Sequence, residues 1–201
     1  MKLTKIEPKY LKKHNPRVGL ITLASDFRIE KDFNNVIYGK DIDLYCNRIK
    51  CYNPLTNETL KKMADDIPKV TEDILPDQQL DCVAYGCTSG TIAAGYQSIL
   101  QKVNSAKPNT KVTTPITSAI NALKSLKIKR LSIFTPYTDE INQSVINYFK
   151  KENVEIDALS YFDIASDLDI GKVDPQYVFE TLTKIDLSKS DALFVSCTAL
   201  P

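Results

Sequence analysis

Short apolar runs alternate along the chain with longer segments in which apolar residues recur every three or four positions. The runs predict strands, and the longer period predicts helices that bury one face. The predicted strands cover residues 17–23, 42–49, 82–85, 111–113, 131–135, 154–161 and 192–195. The predicted helices cover residues 29–36, 60–74, 92–100, 116–126, 141–149 and 175–185, the second kinked at Pro68. This alternation of strands and helices is typical of parallel α/β sheets.

One stretch, Asp81-Cys-Val-Ala-Tyr-Gly-Cys-Thr-Ser-Gly-Thr91, places a cysteine where a strand ends and a helix begins. Gly86 breaks the apolar run, Cys87 follows it, and Thr88 and Ser89 are expected to cap the helix. A thiol beside the free N–H groups of a helix start is expected to have a lowered pKa and to react as the thiolate. Ligands of open α/β sheets bind at such strand ends.

The end of the chain repeats this order of residues. In Asp191-Ala-Leu-Phe-Val-Ser-Cys-Thr-Ala-Leu-Pro201, an aspartate, an apolar strand and a small residue again precede a cysteine and a threonine. Cys197 therefore matches Cys87, and the two lie 110 residues apart (197 − 87), about the length of one small α/β domain. The sequence predicts two similar halves, residues 1–115 and 116–201, whose cysteines face each other across a cleft.

The composition narrows the class of protein. Of the 201 residues, 43% are apolar and 25% are charged, which is ordinary for a soluble globular protein. The formal charge of +1 gives no electrostatic reason to expect nucleic acid or a membrane as a partner. No apolar segment approaches the roughly 18 residues of a membrane span, and the charged N-terminus lacks the apolar core of a signal peptide. We therefore expect a cytoplasmic enzyme or binding protein.

The other cysteines and the single histidine limit the chemistry further. Five cysteines without a C-x-x-C pair argue against a disulfide framework, and no zinc site is expected. His14 is expected to be exposed, which argues against a Cys–His or Ser–His catalytic pair. Cys46, Cys51 and Cys82 are expected to be structural, with Cys82 buried in its strand. Without a G-x-G-x-x-G motif or a Walker loop, no nucleotide cofactor is indicated.

Four motifs, in this order, resemble the aspartate/glutamate racemase superfamily, in the branch that holds maleate cis–trans isomerases, arylmalonate decarboxylases and ectoine-utilisation proteins. The motifs are Gly19-Leu-Ile-Thr-Leu-Ala-Ser-Asp-Phe-Arg-Ile-Glu30, Tyr85-Gly-Cys-Thr-Ser-Gly-Thr91, Thr135-Pro-Tyr-Thr-Asp-Glu-Ile-Asn142 and Ser196-Cys-Thr-Ala-Leu200. The resemblance covers nearly the whole chain from Arg17 onward. It implies two flavodoxin-like parallel-sheet halves related by a pseudo-twofold axis, an active site in the cleft between them, and a homodimer.

The resemblance also implies chemistry next to the carboxylate of a small acid, without cofactor or metal. In racemases of the superfamily one cysteine removes a proton and the other returns one from the opposite face. In maleate isomerases the first cysteine adds to the double bond, and in the decarboxylases the first position is not a cysteine. The presence of both Cys87 and Cys197 therefore favours an isomerase or racemase over a decarboxylase. The alternatives are a decarboxylase of the same superfamily, a catalytically weakened carboxylate-binding protein and a thiol redox sensor.

Four residues are expected to help hold the substrate carboxylate or the enediolate that forms from it. They are Thr88 and Ser89 through their backbone N–H groups, Tyr137 through its hydroxyl, and Thr198 through the N–H groups that follow the second cysteine. Fixed donors aimed at developing negative charge are usually the largest contribution to catalysis.

Two features depart from the family pattern. Asp26 stands where maleate isomerases have an asparagine, and an anionic side chain repels a carboxylate but pairs with an ammonium or a hydroxyl. A nitrogen-bearing acid is therefore expected as the substrate rather than maleate. The chain also ends at Pro201, where the family continues with further elements, so the second half is expected to lack them.

Overall fold

The computed structural model describes residues 1–201, and its regular elements begin at Arg17. The strands are β1 Arg17–Leu23, β2 Asp43–Ile49, β3 Cys82–Tyr85, β4 Lys111–Thr113, β5 Arg130–Thr135, β6 Glu155–Tyr161 and β7 Ala192–Val195. The helices are α1 Ile29–Ile37, α2 Asn57–Met63, α3 Ile67–Glu72, α4 Thr88–Ala94, α5 Tyr96–Ala106, α6 Pro115–Leu126, α7 Asp139–Lys151, α8 Asp167–Ile170 and α9 Pro175–Leu182. Every predicted strand is confirmed to within one residue at each end.

The strands form two separate sheets, and all neighbouring strands in them run parallel. The first sheet has the order β2-β1-β3-β4 and the second has the order β6-β5-β7. In the second sheet β5, β6 and β7 therefore take the places of β1, β2 and β3 in the first. The predicted α/β class with two similar parallel-sheet halves is confirmed. Cys87 after β3 and Cys197 after β7 consequently occupy equivalent strand ends.

The aspartate that opens each cysteine motif makes the same contact in both sheets. Asp81 accepts a hydrogen bond from the backbone N–H of Arg17, at 2.7 Å, at the start of β1. Asp191 accepts one from the backbone N–H of Arg130, at 2.9 Å, at the start of β5. Each aspartate thereby ties the start of its own strand to a neighbouring inner strand of its sheet, so the repeat seen in the sequence is also a repeat of contacts.

A single apolar core joins the two sheets. Ile21 and Val83 of the first sheet belong to the same continuous cluster of buried side chains as Leu131 and Ile133 of the second. Helix α6 begins at Pro115 and connects β4 to β5. The division of the chain between residues 115 and 116 stays a prediction, since one core spans both halves.

The helix after Cys87 differs from the prediction in two respects. Its N-cap is Cys87 itself, whose Sγ accepts a hydrogen bond from the N–H of Gly90 at 3.2 Å, so the expected capping by Thr88 or Ser89 is wrong. Gly95 then adopts a φ of 81°, which ends α4 and separates it from α5 where one continuous helix was expected. Glycine adopts this left-handed backbone at no steric cost.

Smaller differences concern two other sequence features. The predicted helix over residues 60–74 is divided into α2, a 3₁₀ turn at Ala64–Asp66 and α3, and Pro68 lies in the first turn of α3. Cys82, the first residue of β3, is only half-buried, so the expectation that it is buried is wrong. His14 is exposed, as predicted. No helix combines the length and the apolar character that a bilayer crossing requires.

Candidate active site

The loops that follow the strands of both sheets meet at the junction between the sheets. Because the strands are parallel, these loops all leave from carboxyl ends, which is where ligands of α/β sheets bind. The first sheet contributes the loops after β1, β2 and β3, and the second contributes those after β5, β6 and β7. The side chains that they bring together are Ser25, Asp26, Cys51, Asn53, Cys87, Tyr137, Asp167 and Cys197.

The two cysteine loops contact each other directly. Thr198 Oγ1 lies 3.0 Å from the carbonyl oxygen of Gly86 and 3.2 Å from Asp26 Oδ2, and a hydroxyl has one proton to share between these acceptors. Cys87 and Cys197 are both free thiols, and negative charge on Cys197 raises the pKa of Cys87. The structure therefore brings together the two cysteines that the sequence repeat singled out.

The thiol of Cys87 lies in a closed environment, with only 5% of the residue exposed. Burial raises its pKa, and the charges of Asp167 and Cys197 raise it further. The N–H of Gly90 and the hydroxyl of Ser89 oppose this by donating to the sulfur. The expectation that the helix start lowers the pKa of this thiol is wrong, because loss of solvation outweighs those two donors.

Cys197 differs from Cys87 in its backbone. Part of the residue reaches solvent, but burial of its thiol, with a further contribution from the charge of Asp167, raises the pKa to about 12. The N–H of Ala199 and the hydroxyl of Tyr137 lower it. The residue has a φ of 91°, and a non-glycine residue in such a conformation costs about 1–3 kcal/mol. Strain of this kind clusters at functional sites.

Tyr137 is almost completely buried, at 1% exposure, and both its backbone carbonyl and its hydroxyl are hydrogen-bonded. Its carbonyl oxygen accepts from Asn142 Nδ2 at 3.1 Å, and its hydroxyl oxygen accepts from Ser196 Oγ at 3.2 Å. The hydroxyl proton is then free to be donated to the sulfur of Cys197. Tyr137 therefore stabilises a Cys197 thiolate in this structure, while its contact with a substrate stays a prediction.

Asp26 is 1% exposed, and both oxygens of its carboxylate have protein partners. Oδ1 accepts from the backbone N–H groups of Arg28, at 2.7 Å, and Ile29, at 3.0 Å, while Oδ2 faces the Thr198 hydroxyl. Burial raises its pKa, and these hydrogen bonds oppose the rise. Asp26 thus fixes the loop after β1, and its predicted contact with an ammonium group stays a prediction.

Thr88 and Ser89 begin α4 and are both buried. Neither backbone N–H has a hydrogen-bond acceptor in the protein. The hydroxyl of Ser89 lies 3.9 Å from Cys87 Sγ. Two unpaired N–H groups beside the sulfur are in the right place to receive a carboxylate, although their contact with a substrate stays a prediction.

The sequence reasoning missed Asp167, which is only 4% exposed at the start of α8. Its Oδ2 accepts from Ser25 Oγ at 2.5 Å, and its backbone N–H donates to Asn53 Oδ1 at 3.2 Å. The available signal was its position shortly after the predicted strand 154–161, at the same edge of the second sheet as Cys197.

A second missed residue is Tyr85, the last residue of β3. Its side chain is fully buried, and its hydroxyl has no hydrogen-bond partner. A methyl group added at Gly90 would lie 2.8 Å from Cys87 Sγ and 2.9 Å from the Tyr85 hydroxyl oxygen. Any larger residue at position 90 would therefore collide with both the Cys87 thiol and the Tyr85 hydroxyl.

An apolar groove of about 310 Å³ lies beside the cysteine loops. Gly86 and Thr198 line it together with Ile29 and Phe33 of α1, but neither cysteine does, so the groove is not itself the site of the thiols. No group of three or more His, Cys, Asp or Glu side chains is arranged to hold a metal ion.

Several maleate isomerases resemble this chain in sequence or in fold. The maleate isomerase of Geobacillus stearothermophilus is 22% identical over 200 residues, covering 92% of this chain and 79% of that protein. The Nocardia farcinica maleate cis–trans isomerase, solved as a cysteine-to-serine mutant with a covalently bound succinylcysteine intermediate, has a TM-score of 0.82 at 18% identity. The maleate isomerase of Pseudomonas putida has a TM-score of 0.80 at 20% identity. These two alignments cover 92% of this chain and 80% of each structure.

The family model described as arylmalonate decarboxylase matches residues 38–201, which include both cysteines, Tyr137 and Asp167. This match extends over most of the chain, and the resemblance seen in the four sequence motifs is confirmed. The chain belongs to the arylmalonate decarboxylase family.

Proposed function

We propose that the protein is a cofactor-independent isomerase, of the racemase or the cis–trans type, that acts next to the carboxylate of a small acid. Cys87 and Cys197 are the reacting groups. The observation that carries this proposal is the proximity of two free thiols. They follow equivalent strands of the two sheets and lie close enough for the charge of one to raise the pKa of the other. It is supported by the relatives named maleate isomerase, one of which forms a succinylcysteine intermediate.

The mutual influence of the two thiols suits acid–base chemistry. A charged Cys197 raises the pKa of Cys87, and by the same repulsion a charged Cys87 raises that of Cys197, so when one sulfur is ionised its neighbour keeps its proton. The N–H of Gly90 stabilises a thiolate at Cys87, and Tyr137 and the N–H of Ala199 stabilise one at Cys197. In the proposed mechanism the pair supplies one base and one acid, which act on opposite faces of the bound substrate.

Two reactions use this pair. In racemisation the Cys87 thiolate takes the proton next to the carboxylate, and the Cys197 thiol returns its proton to the other face. In cis–trans isomerisation the Cys87 sulfur adds to one alkene carbon, and Cys197 protonates the other. The new single bond rotates, Cys197 takes the proton back, and the carbon–sulfur bond breaks to restore the alkene. In both reactions negative charge develops at the carboxylate, beside the free N–H groups of Thr88 and Ser89.

The direct test is turnover of a panel of small acids in deuterated water. Racemisation incorporates deuterium next to the carboxylate, and isomerisation converts a cis alkene acid into its trans form. We expect either reaction to be abolished in Cys87→Ala and reduced at least about a hundredfold in Cys197→Ala. Cys46→Ala is the control, because this exposed cysteine on β2 lies outside the site. Turnover that survives the loss of Cys87 would overturn the proposal.

Decarboxylation is the second candidate, because the matching family model carries that description. It predicts carbon dioxide release from a substituted malonate, with Cys197 delivering the proton and Cys87 dispensable. Binding of the acids without any turnover would instead indicate a carboxylate-binding protein. The homodimer that the resemblance implies remains a separate prediction, which sedimentation equilibrium tests.

A further inference from the structure

One buried carboxylate next to the thiols takes no part in the chemistry described above. Asp167 is 4% exposed, and Ser25 is the only protein donor to its side chain, at 2.5 Å from Oδ2. The other oxygen, Oδ1, has no hydrogen-bond donor from the protein. It is not one of the fully enclosed side-chain atoms that lack a hydrogen-bond partner, so part of its surface stays accessible. Asp167 thus retains an acceptor that a ligand with a hydrogen-bond donor can use.

The charge of Asp167 acts on the reacting groups. It raises the pKa of Cys87 and is the largest charge contribution at Cys197. It also adds to the rise at Cys51, whose pKa burial brings to about 11. Asp167 is therefore close enough to both reacting sulfurs to influence a molecule bound between them.

No cation compensates this charge. Asp167 takes part in none of the ion pairs of the structure, and the neighbouring charge that acts on it is that of Asp26, which raises its pKa. The two arginines that contact Asp26 in the loop after β1 use their guanidinium groups for partners other than Asp167. Arg28 donates to the carbonyl oxygen of Gly171, and Arg48 pairs with Glu30. The charge of Arg48 acts on Asp26, whereas no cation acts on Asp167.

Asp26 is not the free acceptor of this pair. Its two oxygens are already occupied by two backbone N–H groups and the Thr198 hydroxyl. The sequence reasoning assigned the recognition of a nitrogen-bearing substrate to Asp26, whereas the contacts leave only Asp167 with an unoccupied oxygen beside the sulfurs.

We propose that Asp167 is the specificity-determining residue of this site and that it selects small acids carrying an ammonium group next to the reacting carbon over dicarboxylates. An ammonium ion donates three hydrogen bonds and neutralises the Asp167 carboxylate, whereas a second carboxylate is repelled by it. Discrimination therefore has an attractive and a repulsive component. The proposal rests on the proposed function for its substrate and deepens it by naming the substrate class.

The first experiment needs no turnover. The alkylation rates of Cys87 and Cys197 are measured by peptide mass spectrometry with 2-bromoethylammonium, iodoacetamide and iodoacetate, each normalised to a free cysteine peptide. We expect the cationic reagent to be favoured over the anionic one, and Asp167→Asn to reduce this preference about tenfold or more. The variant keeps the shape of the side chain and an oxygen for Ser25. An unchanged preference in Asp167→Asn overturns the proposal.

Two further variants separate charge from local structure. Asp169→Asn removes an exposed carboxylate from the same short helix and is expected to leave the preference unchanged. Ser25→Ala removes the hydrogen bond but keeps the Asp167 carboxylate, so the preference for the cationic reagent is expected to persist. Loss of the preference in either variant overturns the assignment to the Asp167 charge. Thermal unfolding of each variant verifies that it is folded.

The second experiment uses turnover. The ratio of kcat/KM for a small 2-amino acid to that for a dicarboxylate of equal length is expected to exceed one, and to fall about tenfold or more in Asp167→Asn. A ratio that the variant does not change, or a wild-type preference for the dicarboxylate, overturns the proposal. The proposed function and the proposed role of Asp167 can be refuted independently. Absence of turnover with every acid counts against the proposed function, and the alkylation rates then decide the role of Asp167.

Discussion

The hydroxyl of Thr198 lies 3.0 Å from the carbonyl oxygen of Gly86 and joins two residues that are 112 positions apart in the chain. One precedes Cys87 in the first half, and the other follows Cys197 in the second. The same hydroxyl is 3.2 Å from Asp26. A single side chain therefore links the two cysteine loops and the loop after β1, so we expect the geometry of the thiols to depend on it.

Replacing Thr198 with valine keeps the shape of the side chain and removes this hydroxyl. We expect the free energy of unfolding to fall by about 1–3 kcal/mol, because the Gly86 carbonyl and the Asp26 carboxylate lose a donor. Urea denaturation measures the loss, and alkylation of Cys87 should become faster as the loops separate. Thr198→Ser restores the hydroxyl and should resemble the wild type. Equal stability of the valine and serine variants would show that the link contributes nothing.

Replacing Tyr137 with phenylalanine removes the phenolic donor to Cys197. A hydrogen bond to a charged group is worth about 1.5–3 kcal/mol, so the pKa of the Cys197 thiol should rise by at least about one unit. Alkylation of Cys197 should slow, and kcat/KM should fall about ten- to a hundredfold. Tyr148→Phe, on the helix α7 that follows Tyr137, is the control. A Cys197 alkylation profile that is the same in wild type and Tyr137→Phe would rule out this role.

The raised pKa of Cys197 predicts a loss of stability at high pH. Its pKa is about 12 in the folded protein against an ordinary value of 9.0, so the folded state binds the proton more tightly. The resulting stabilisation is complete below pH 9 and is lost as pH rises toward 12, at most at about 1.4 kcal/mol per pH unit. Urea unfolding from about pH 7 to pH 10.5 should therefore show wild type losing stability relative to Cys197→Ala. A constant difference over that range would contradict the shift.

Removing the hydroxyl of Tyr85 should not destabilise the protein. This hydroxyl is buried without a partner, and such a group carries a desolvation penalty of about 1–3 kcal/mol. We expect Tyr85→Phe to unfold at an equal or higher urea concentration. Tyr96→Phe is the comparison, because the Tyr96 hydroxyl donates to the carbonyl oxygen of Val112 at 3.0 Å and its loss should cost about 1 kcal/mol. Destabilisation by Tyr85→Phe would mean that the phenol has a partner, such as the adjacent Cys87 sulfur.

The elements of the fold could be predicted because the signals for them are local. Apolar runs of a few residues and helical periodicity depend on neighbours within about two turns, and the seven strands were found to within one residue at each end. The break at Gly95 was not found, since nothing in the local pattern shows which glycine takes a positive φ.

The equivalent positions of Cys87 and Cys197 could also be predicted, because the sequence repeat has a direct structural counterpart. Asp81 and Asp191 stand at the same distance before Cys87 and Cys197, and each accepts a hydrogen bond from the first residue of an inner strand of its sheet. The position of a residue relative to a strand end is a local property, and parallel strands bring such ends to one edge.

The sequence by itself determined the order of the elements, the equivalence of the two halves and the placement of a thiol at each strand end. Only the tertiary structure decided which polar groups surround those thiols. Asp167 accepts a hydrogen bond from Ser25, which is 142 positions away in the chain, and both carboxylate oxygens of Asp26 have donors within the protein. The tertiary structure also set the direction of the thiol pKa shifts. The solvation of a sulfur depends on all the groups packed around it and not only on its neighbours in the chain.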